Sequence, residues 1–468
     1  MVNQNHIISV LMINNPWLAG KNFNIKDFYP QPRFQLETLT NTLIAKPRRH
    51  AVVTGLRRVG KTTLMKHAID WLLTKRTPSK NIFYIPCDHP LMESAEIPDI
   101  IEAVEANFSP QGTWYLFIDE VHLTKNWNKW LKVIYDQNQY LRIVVTGSAN
   151  PALVSGITDS GLGRWYEINL PTMSFSEYCY MRKVDLIELP QFPTDMSQLT
   201  LPDLLSIVEN TKQLQPLFVN YMHEGGFPER CGTEDLSYMN QLLYDDLFIT
   251  MMRRDLVRYL TIRKIDAFTR LFRYMIKQTA QITNISNIAK EIGNISKDTV
   301  SEYLDHLCAF GLLYKAEMTD KSGTKILKTQ PKYHITDPAL YAIFHPDPLA
   351  DQTAAGNLVE STVFKHIADA YSKKGSDVGY LRDQANRGKE IDVVFKRNDT
   401  LNFIEVKYQN NANLKDTDAL AKMAGQKHGN NFMFLTKNSS DTTIQKKEGR
   451  APIIVIPVHT FVYWLSSR

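Results

Sequence analysis

Nine consecutive residues carry the plainest chemistry in this chain. Gly55, Leu56, Arg57, Arg58, Val59, Gly60, Lys61, Thr62 and Thr63 fit the spacing GxxxxGK[ST]. An apolar run precedes them and a helical pattern follows. Glycines at both ends let backbone N–H groups curl around phosphate oxygens, and the following helix adds its positive end. Lys61 is spaced to reach the β- and γ-phosphates of a nucleoside triphosphate, and the Thr62 hydroxyl to ligate Mg2+. A second motif answers the first: Tyr115-Leu116-Phe117-Ile118 is apolar and closes on Asp119 and Glu120. Asp119 would hold the metal directly or through water, and Glu120 would act as general base on the attacking water. His122 reads as a surface or packing residue.

These groups need a scaffold, and the flanking pattern supplies one. Apolar runs at 51–54, 81–86, 114–118 and 142–146 alternate with helical patterns at 62–73, 97–107 and 127–136. Buried strands alternating with helices predict a mostly parallel α/β sheet. Residues 1–45 read as an N-terminal extension, helical over 33–43, and 46–180 as the nucleotide core. Residues 181–265 form a connecting, mostly helical segment with four prolines between 183 and 216. Over 266–345 the order is helix (285–293), helix (296–310), strand (311–317), turn (320–324) and return strand (326–329). Residues 346–468 open with a helix and continue into strands at 378–382, 390–395, 401–407, 431–435 and 452–457, before a final helix.

Composition sets wide bounds. The 468 residues have room for about three domains. Hydrophobic residues are 43% and charged residues 22%, a globular balance that argues against disorder and fibrous repeats. The 54 Lys+Arg against 49 Asp+Glu leave +5, which permits a nucleic-acid partner without demanding one. Cys87, Cys179, Cys231 and Cys308 lie far apart and form no CxxC, so they read as core residues, not a disulfide or zinc scaffold. The first residues lack a secretory pattern and no run of 18 apolar residues occurs, so no membrane partner and a cytoplasmic location are expected.

GLRRVGKTTL, LFIDEVH, TGSAN, and GR followed by INLPTMSFSEY together resemble the AAA+-related ATPase module of a large family of bacterial and archaeal ATP-binding proteins. Gly225-Gly226-Phe227-Pro228-Glu229 and Arg254-Asp255-Leu256 resemble that family's middle segment. The resemblance implies an α/β architecture: an AAA+-like P-loop domain with a parallel sheet, a helical and winged-helix middle domain, and a C-terminal restriction-endonuclease-like α/β domain. It implies ATP and Mg2+ as cofactors. It makes the tip after 142–146 a sensor of the γ-phosphate, with Ser148 first and Asn150 second; an ordinary strand-end turn is the alternative. It makes Arg164 an arginine finger that completes a neighbour's site in a ring or smaller homo-oligomer; a solvated arginine is the alternative.

The C-terminal segment holds a second constellation. Glu360 lies on a helix, Glu390 and Asp392 on one strand, and Glu405 and Lys407 on the next. Period-2 alternation sends Glu405 and Lys407 to one face, and Glu390 and Asp392 likewise share a face. The order resembles the PD-(D/E)XK nuclease core. That resemblance implies Mg2+ on Asp392 and Glu405 with Glu360 as accessory ligand, and Lys407 positioning or deprotonating water. The same fold also binds DNA or a partner without cutting. In the middle segment the second helix would read DNA through Lys297, Thr299 and Ser301, with Lys321, Lys325 and Lys328 on the wing. Residues 262–335 hold 12 Lys/Arg against 7 Asp/Glu, yet Asp298, Glu302 and Asp305 on that helix would oppose phosphates. The expected function is an ATP-hydrolysing, DNA-associated machine whose C-terminal domain cuts or binds DNA. The alternative is an ATP-controlled signalling or defence switch whose C-terminal domain binds a partner without cutting. A chaperone-like action on protein is weakened because no aromatic–hydrophobic–Gly loop occurs between the two nucleotide motifs.

Overall fold

Strands with apolar residues on both faces must be covered on both faces, and the nucleotide segment does this with helices. The computed structural model describes residues 4–147, 163–255, 264–293, 295–326, 329–371, 378–383, 389–426 and 430–467. The chain divides into two compact units, 1–171 and 172–468. In the first, β1 (His50–Thr54), β2 (Ile82–Pro86), β3 (Trp114–Asp119), β4 (Leu141–Thr146) and β5 (Trp165–Asn169) form a parallel sheet in the order β2-β3-β4-β1-β5. The helices are α1 (Gln4–Asn14), α2 (Leu36–Ile44), α3 (Lys61–Thr74), α4 (Ile97–Phe108) and α5 (Trp127–Gln137). Phe83, Leu116, Ile118, Ile143 and Val145 are buried with Ile100 and Val104 of α4 and Leu131 of α5. Each such side chain contributes roughly 1.5–3 kcal/mol on leaving water.

Because β4 lies between β1 and β3, the C-terminal ends of all three strands meet at one edge of the sheet. Val53 pairs with Thr146, and Val145 with Ile118. Thr146 therefore stands beside Asp119, and the phosphate-loop sequence leaves β1 next to both.

Of the segment 1–45, expected as an extension, the described residues from Gln4 onward pack within this unit. Ile7, Val10 and Leu11 of α1 are fully buried in the same core. Asn15 accepts the Tyr84 N–H at 2.6 Å and donates to the Tyr84 carbonyl at 2.7 Å. Trp17 Nε1 donates to the Ile82 carbonyl at 2.9 Å. β2 is an edge strand, and these side chains satisfy backbone groups that no neighbouring strand reaches.

The second unit is organised by a mixed sheet. Its strands are β6 (Leu313–Thr319), β7 (Lys332–Ile335), β8 (Val378–Asp383), β9 (Lys389–Arg397), β10 (Thr400–Lys407), β11 (Asn431–Thr436), β12 (Thr443–Gln445) and β13 (Ile453–Pro457), in the order β12-β13-β11-β10-β9-β8-β6-β7. β6 pairs with β8 in parallel, so the hairpin of the middle segment and the C-terminal strands share one sheet. The hairpin returns later than the sequence pattern suggests. Asp320 holds the turn by accepting the N–H groups of Ser322 and Thr324. Ile326 donates to Met318 at 2.8 Å, but the ladder with β6 forms at 332–335, where Leu313 faces Ile335. Pro331, which has no N–H, gives its carbonyl instead to Thr283. Among the described residues no helix is long and apolar enough to cross a membrane. All four cysteines are thiols, and burial foremost raises the pKa of each to about 12.

His366 lies inside this second unit on the helix Gln352–Tyr371. Its Nε2 accepts the Phe175 N–H at 2.8 Å and its Nδ1 donates to the Thr362 carbonyl at 2.7 Å, an arrangement that requires the neutral ring. Burial, then the Lys365 charge, push its pKa from 6.5 to about 3. The unfolded chain takes up this proton below pH 6.5 and the folded chain does not. The associated stability is present above that pH and is lost as pH falls toward 3, by up to about 1.4 kcal/mol per pH unit. His366→Gln is expected to flatten the pH dependence of urea unfolding by about that slope between roughly pH 6 and pH 4. A slope equal to the wild type would show that His366 titrates alike in both states.

Candidate active site

Residues 55–60 turn the chain from β1 into α3. A Cβ on Gly55 would lie 2.3 Å from the Leu170 carbonyl oxygen, so no side chain fits there. Gly60 has φ 92° and forms the left-handed entry to α3. Leu56 and Val59 are buried and prop the loop from beneath, Arg57 is half-buried and Arg58 is exposed. Lys61 is buried, with Nζ donating to the carbonyls of Gly55 at 3.0 Å and Leu56 at 2.8 Å. Thr62 and Thr63 are half-buried on the first turn of α3. The loop is clamped from outside by buried Arg33, which donates to the Val59 carbonyl and, at 2.8 Å, to the Pro171 carbonyl.

The two sequence motifs meet on Asp119. Thr62 Oγ1 donates to Asp119 Oδ2 at 2.6 Å and the Tyr84 hydroxyl donates to the same oxygen at 2.9 Å. Thr146 Oγ1 donates to Asp119 Oδ1. Burial, then the Asp119 charge, push the Tyr84 phenol pKa upward, so it stays a donor. The chain then turns: Glu120 has φ 51°, a left-handed conformation that costs a non-glycine residue roughly 1–2 kcal/mol. Its N–H donates to Thr146 Oγ1 at 3.0 Å, which holds that turn. His122 Nδ1 lies 3.2 Å from Glu120 Oε2, so this residue, expected at the surface or in packing, is largely covered and faces the expected general base.

A hydroxyl and a carboxylate side by side at the mouth of a phosphate loop suit a hard, oxygen-preferring cation such as Mg2+. Among the described residues no group of three or more His, Cys, Asp or Glu side chains is arranged to hold a metal. Mg2+ at Thr62 and Asp119 would take its other ligands from phosphate and water, as this ion commonly does.

Sequence reading missed Thr146, Tyr84 and Arg33. Thr146 had a signal, since it ends β4, but the polar tip was sought beyond it. Ser148 and Asn150 lie outside the described residues. Arg164 stands on Asp136, with Nε and Nη2 at 3.0 and 3.2 Å from its carboxylate oxygens. Its carbonyl accepts the His50 N–H at the first residue of β1. The phosphate loop leaves the other end of that five-residue strand, about 16 Å away. Arg164 therefore lies at the opposite edge of the sheet from its own chain's loop.

In the second unit the structure gathers Glu360, Glu390, Asp392, Glu405 and Lys407 and adds Lys332. Lys332 of β7 is buried, and its Nζ lies 3.0 Å from Glu360 Oε1, 2.9 Å from Glu390 Oε2 and 3.9 Å from Asp392 Oδ1. The Val406 N–H donates to Asp392 Oδ2 at 2.8 Å. Lys407 Nζ lies 3.1 Å from Glu405 Oε1. Burial foremost raises the Glu405 carboxyl pKa to about 7, with Lys407 opposing and Asp392 adding. Burial also raises Glu360, with Asp392 adding to the shift and Lys332 opposing it. For Lys332 burial works against the charge, yet Glu360, Asp392 and Glu390 hold its pKa above the ordinary lysine value. The Mg2+ expected here does not fit these side chains as they stand, because an ammonium takes the place between the carboxylates. Lys332 was missed because the return strand was expected at 326–329.

The expected DNA contacts are scattered in character. Lys297 is exposed at the start of the helix Lys297–Ala309. The Thr299 N–H donates to the capping Ser296 hydroxyl at 3.1 Å, and the two hydroxyls lie 2.7 Å apart. Ser301 is half-buried, while Asp298, Glu302 and Asp305 are exposed on the same helix. Lys321 donates to Gln426 Oε1 at 3.0 Å and Lys325 pairs with Glu317 at 3.2 Å. Lys328 lies outside the described residues.

Comparison with known proteins agrees with the geometry of the first unit. Residues 47–179 match a family model described as an AAA domain. Residues 215–347 and 355–461 match two models, each described as a domain of unknown function (DUF8612 and DUF4143). An uncharacterised protein of Haemophilus influenzae is 26% identical over 381 residues, covering 79% of this chain and 85% of its own. One of Methanocaldococcus jannaschii is 22% identical over 382 residues, covering 80% and 78%. Among solved structures, a Walker-type ATPase of Pyrococcus abyssi is 14% identical, covering 66% of this chain and 94% of its own with a TM-score of 0.37. The Aeropyrum pernix ORC1 protein in complex with DNA is 12% identical, covering 69% and 96% with a TM-score of 0.30. The chain carries an AAA-type, P-loop ATPase-like domain, and that fold implies nucleotide binding.

Thr146→Val removes one hydroxyl that serves both Asp119 and the Glu120 N–H. Losing a buried hydrogen-bonding partner costs about 1–3 kcal/mol, which corresponds to roughly 5- to 150-fold. ATP turnover is expected to fall by that factor while the Kd for a fluorescent ATP analogue changes less than about threefold. Unchanged turnover would remove Thr146 from the site.

Proposed function

We propose that the protein is a Mg2+-dependent ATPase whose turnover is coupled to association with DNA. The observation that carries the hydrolase reading is the convergence of Thr62, Tyr84 and Thr146 on Asp119, with Glu120 turned out beside them. In this reading the loop N–H groups and the start of α3 bind the phosphates, and Lys61 faces the β- and γ-phosphates. Thr62 and Asp119 would hold Mg2+, which when bound neutralises phosphate charge. Glu120 takes the proton of the attacking water, and His122 orients its carboxylate. Thr146 fixes the turn that aims Glu120. Arg164, at the far sheet edge, acts on a neighbouring subunit's nucleotide. The resemblance of 266–345 to a winged helix, with Lys297 exposed, supports DNA as the partner, and the C-terminal segment is read as restriction-endonuclease-like in fold. No cleavage step is assigned to that segment.

A second reading is an ATP-controlled switch whose C-terminal domain binds a partner without cutting. It is favoured by the pairing of Lys325 with Glu317 and by the exposed acids Asp298, Glu302 and Asp305.

Steady-state ATP hydrolysis with and without DNA separates the two. Wild type is expected to hydrolyse ATP with Mg2+, Lys61→Ala to lose tight nucleotide binding, and Glu120→Gln to bind but turn over at least about 100-fold more slowly. Normal turnover in either variant would contradict the assigned roles. Stimulation by single-stranded, duplex or branched DNA supports the first reading, and an intact ATPase indifferent to all three supports the switch.

The finger has its own test, by subunit mixing. An Arg164→Ala chain and a Lys61→Ala chain, each inactive alone, are expected to restore part of the activity together, since such arginines contribute roughly 10³–10⁵ in rate. Absence of rescue together with a monomer in solution would remove the finger.

A further inference from the structure

The second unit gathers four carboxylates around a short stretch of β9, β10 and the helix Gln352–Tyr371. Glu360, Asp392 and Glu405 are all buried, and Glu390 is partly covered. Buried carboxylates repel one another and lose their hydration, so such a cluster needs a cation. Resemblance suggests a divalent metal, but the residues supply a different one. Lys332 arrives from β7, on a strand at the far edge of the same sheet. Only 4% of its side chain is exposed, so bulk water does not screen it. Its Nζ reaches Glu360 and Glu390 at 3.0 and 2.9 Å and stands 3.9 Å from Asp392. The oxygens facing it are Glu360 Oε1 from the helix and Glu390 Oε2 and Asp392 Oδ1 from β9, so the ammonium itself stands between helix and strand. The remaining Asp392 oxygen is occupied by the Val406 N–H. Glu405 is paired with Lys407 at 3.1 Å. A divalent ion ligates oxygen at about 2.0–2.6 Å and could not share these carboxylates with an ammonium without strong repulsion.

We infer that Lys332 is the resident cation of this cluster: its ammonium stands where a divalent metal would, and the chain binds no Mg2+ or Mn2+ on Glu360, Asp392 and Glu405. The ammonium also ties β7 to the helix Gln352–Tyr371 and to β9, three elements far apart in sequence. The cluster is then a charge-compensated joint within the second unit, not a phosphodiesterase centre. Mobile metal is replaced by a covalently attached charge that cannot dissociate and that presents no water to a phosphate. This assignment concerns residues of the second unit only and stands whether or not the first unit hydrolyses ATP.

The test is Mn2+ binding to the full chain, read by the loss of the free Mn2+ electron paramagnetic resonance signal. It is done without nucleotide in an Asp119→Asn background, which silences the first site. With Lys332 intact, adding Asp392→Asn is expected to leave Mn2+ binding unchanged up to about millimolar concentration. An Mn2+ site that is present with Lys332 intact and lost on Asp392→Asn would overturn the inference. Lys332→Met is expected to create one Mn2+ site at least about tenfold tighter than any in the parent, abolished again by Asp392→Asn. A folded Lys332→Met chain that gains no such site would equally overturn it. Should Lys332→Met fail to fold, the comparison at Asp392 with Lys332 intact decides alone.

Discussion

Three hydroxyls meet on one carboxylate at Asp119, and the first unit is arranged around that meeting. Thr62 comes from the first turn of α3, Tyr84 from the edge strand β2 and Thr146 from β4. Each is held by a different long-range element, so the carboxylate position depends on the whole sheet. The strand order makes this possible. With β4 inserted between β1 and β3, the loop after β1 and the acids after β3 open on the same edge, bridged by the end of β4. A one-residue slip of β4 against β3 would turn Thr146 to the opposite face and leave both Asp119 and the strained Glu120 turn without their partner.

The N-terminal segment enters the same logic. Asn15 and Trp17 complete the backbone hydrogen bonding of β2, the strand that carries Tyr84. Arg33 holds the phosphate loop by its Val59 carbonyl. A stretch that reads as an N-terminal extension thus supports the site twice, once through the edge strand and once through the loop. The loop also depends on Gly55, whose missing side chain is what lets the Leu170 carbonyl approach.

Charge compensation governs the second unit. Lys332 and Lys407 divide the carboxylates between them; burial raises the Glu360 and Glu405 carboxyls, whereas the surrounding acids hold the Lys332 ammonium charged against its burial. Buried ion clusters of this kind are weak sources of net stability but are damaging when one member is removed, because the remaining charges are left unpaired in a low dielectric. The same constraint explains why helix, hairpin and β9 converge there: the ammonium and the acids can only be buried together.

Much of this was legible in the sequence. Local spacing determined the phosphate loop, the strand ending in Asp119 and Glu120, and the alternation that puts Glu405 beside Lys407, because backbone geometry of helix and strand converts short-range spacing directly into direction. Hydrophobic runs likewise placed four of the five parallel strands, β1 to β4, to within a residue or so. Tertiary structure alone decided what faces those groups. Tyr84, Thr146 and Arg33 are ordinary residues in the text of the chain and become site residues only through sheet order and register. His122 turns toward Glu120 and Arg164 toward Asp136 for reasons that depend on turns and sheet edges. The cation of the carboxylate cluster could not be read at all. Lys332 is far from Asp392 in sequence, and its strand begins only after Pro331. Its partners were settled by a hairpin joining the edge of a sheet built from two distant segments. Spacing along the chain specifies which groups share a face; only the packed fold specifies which charge must answer them.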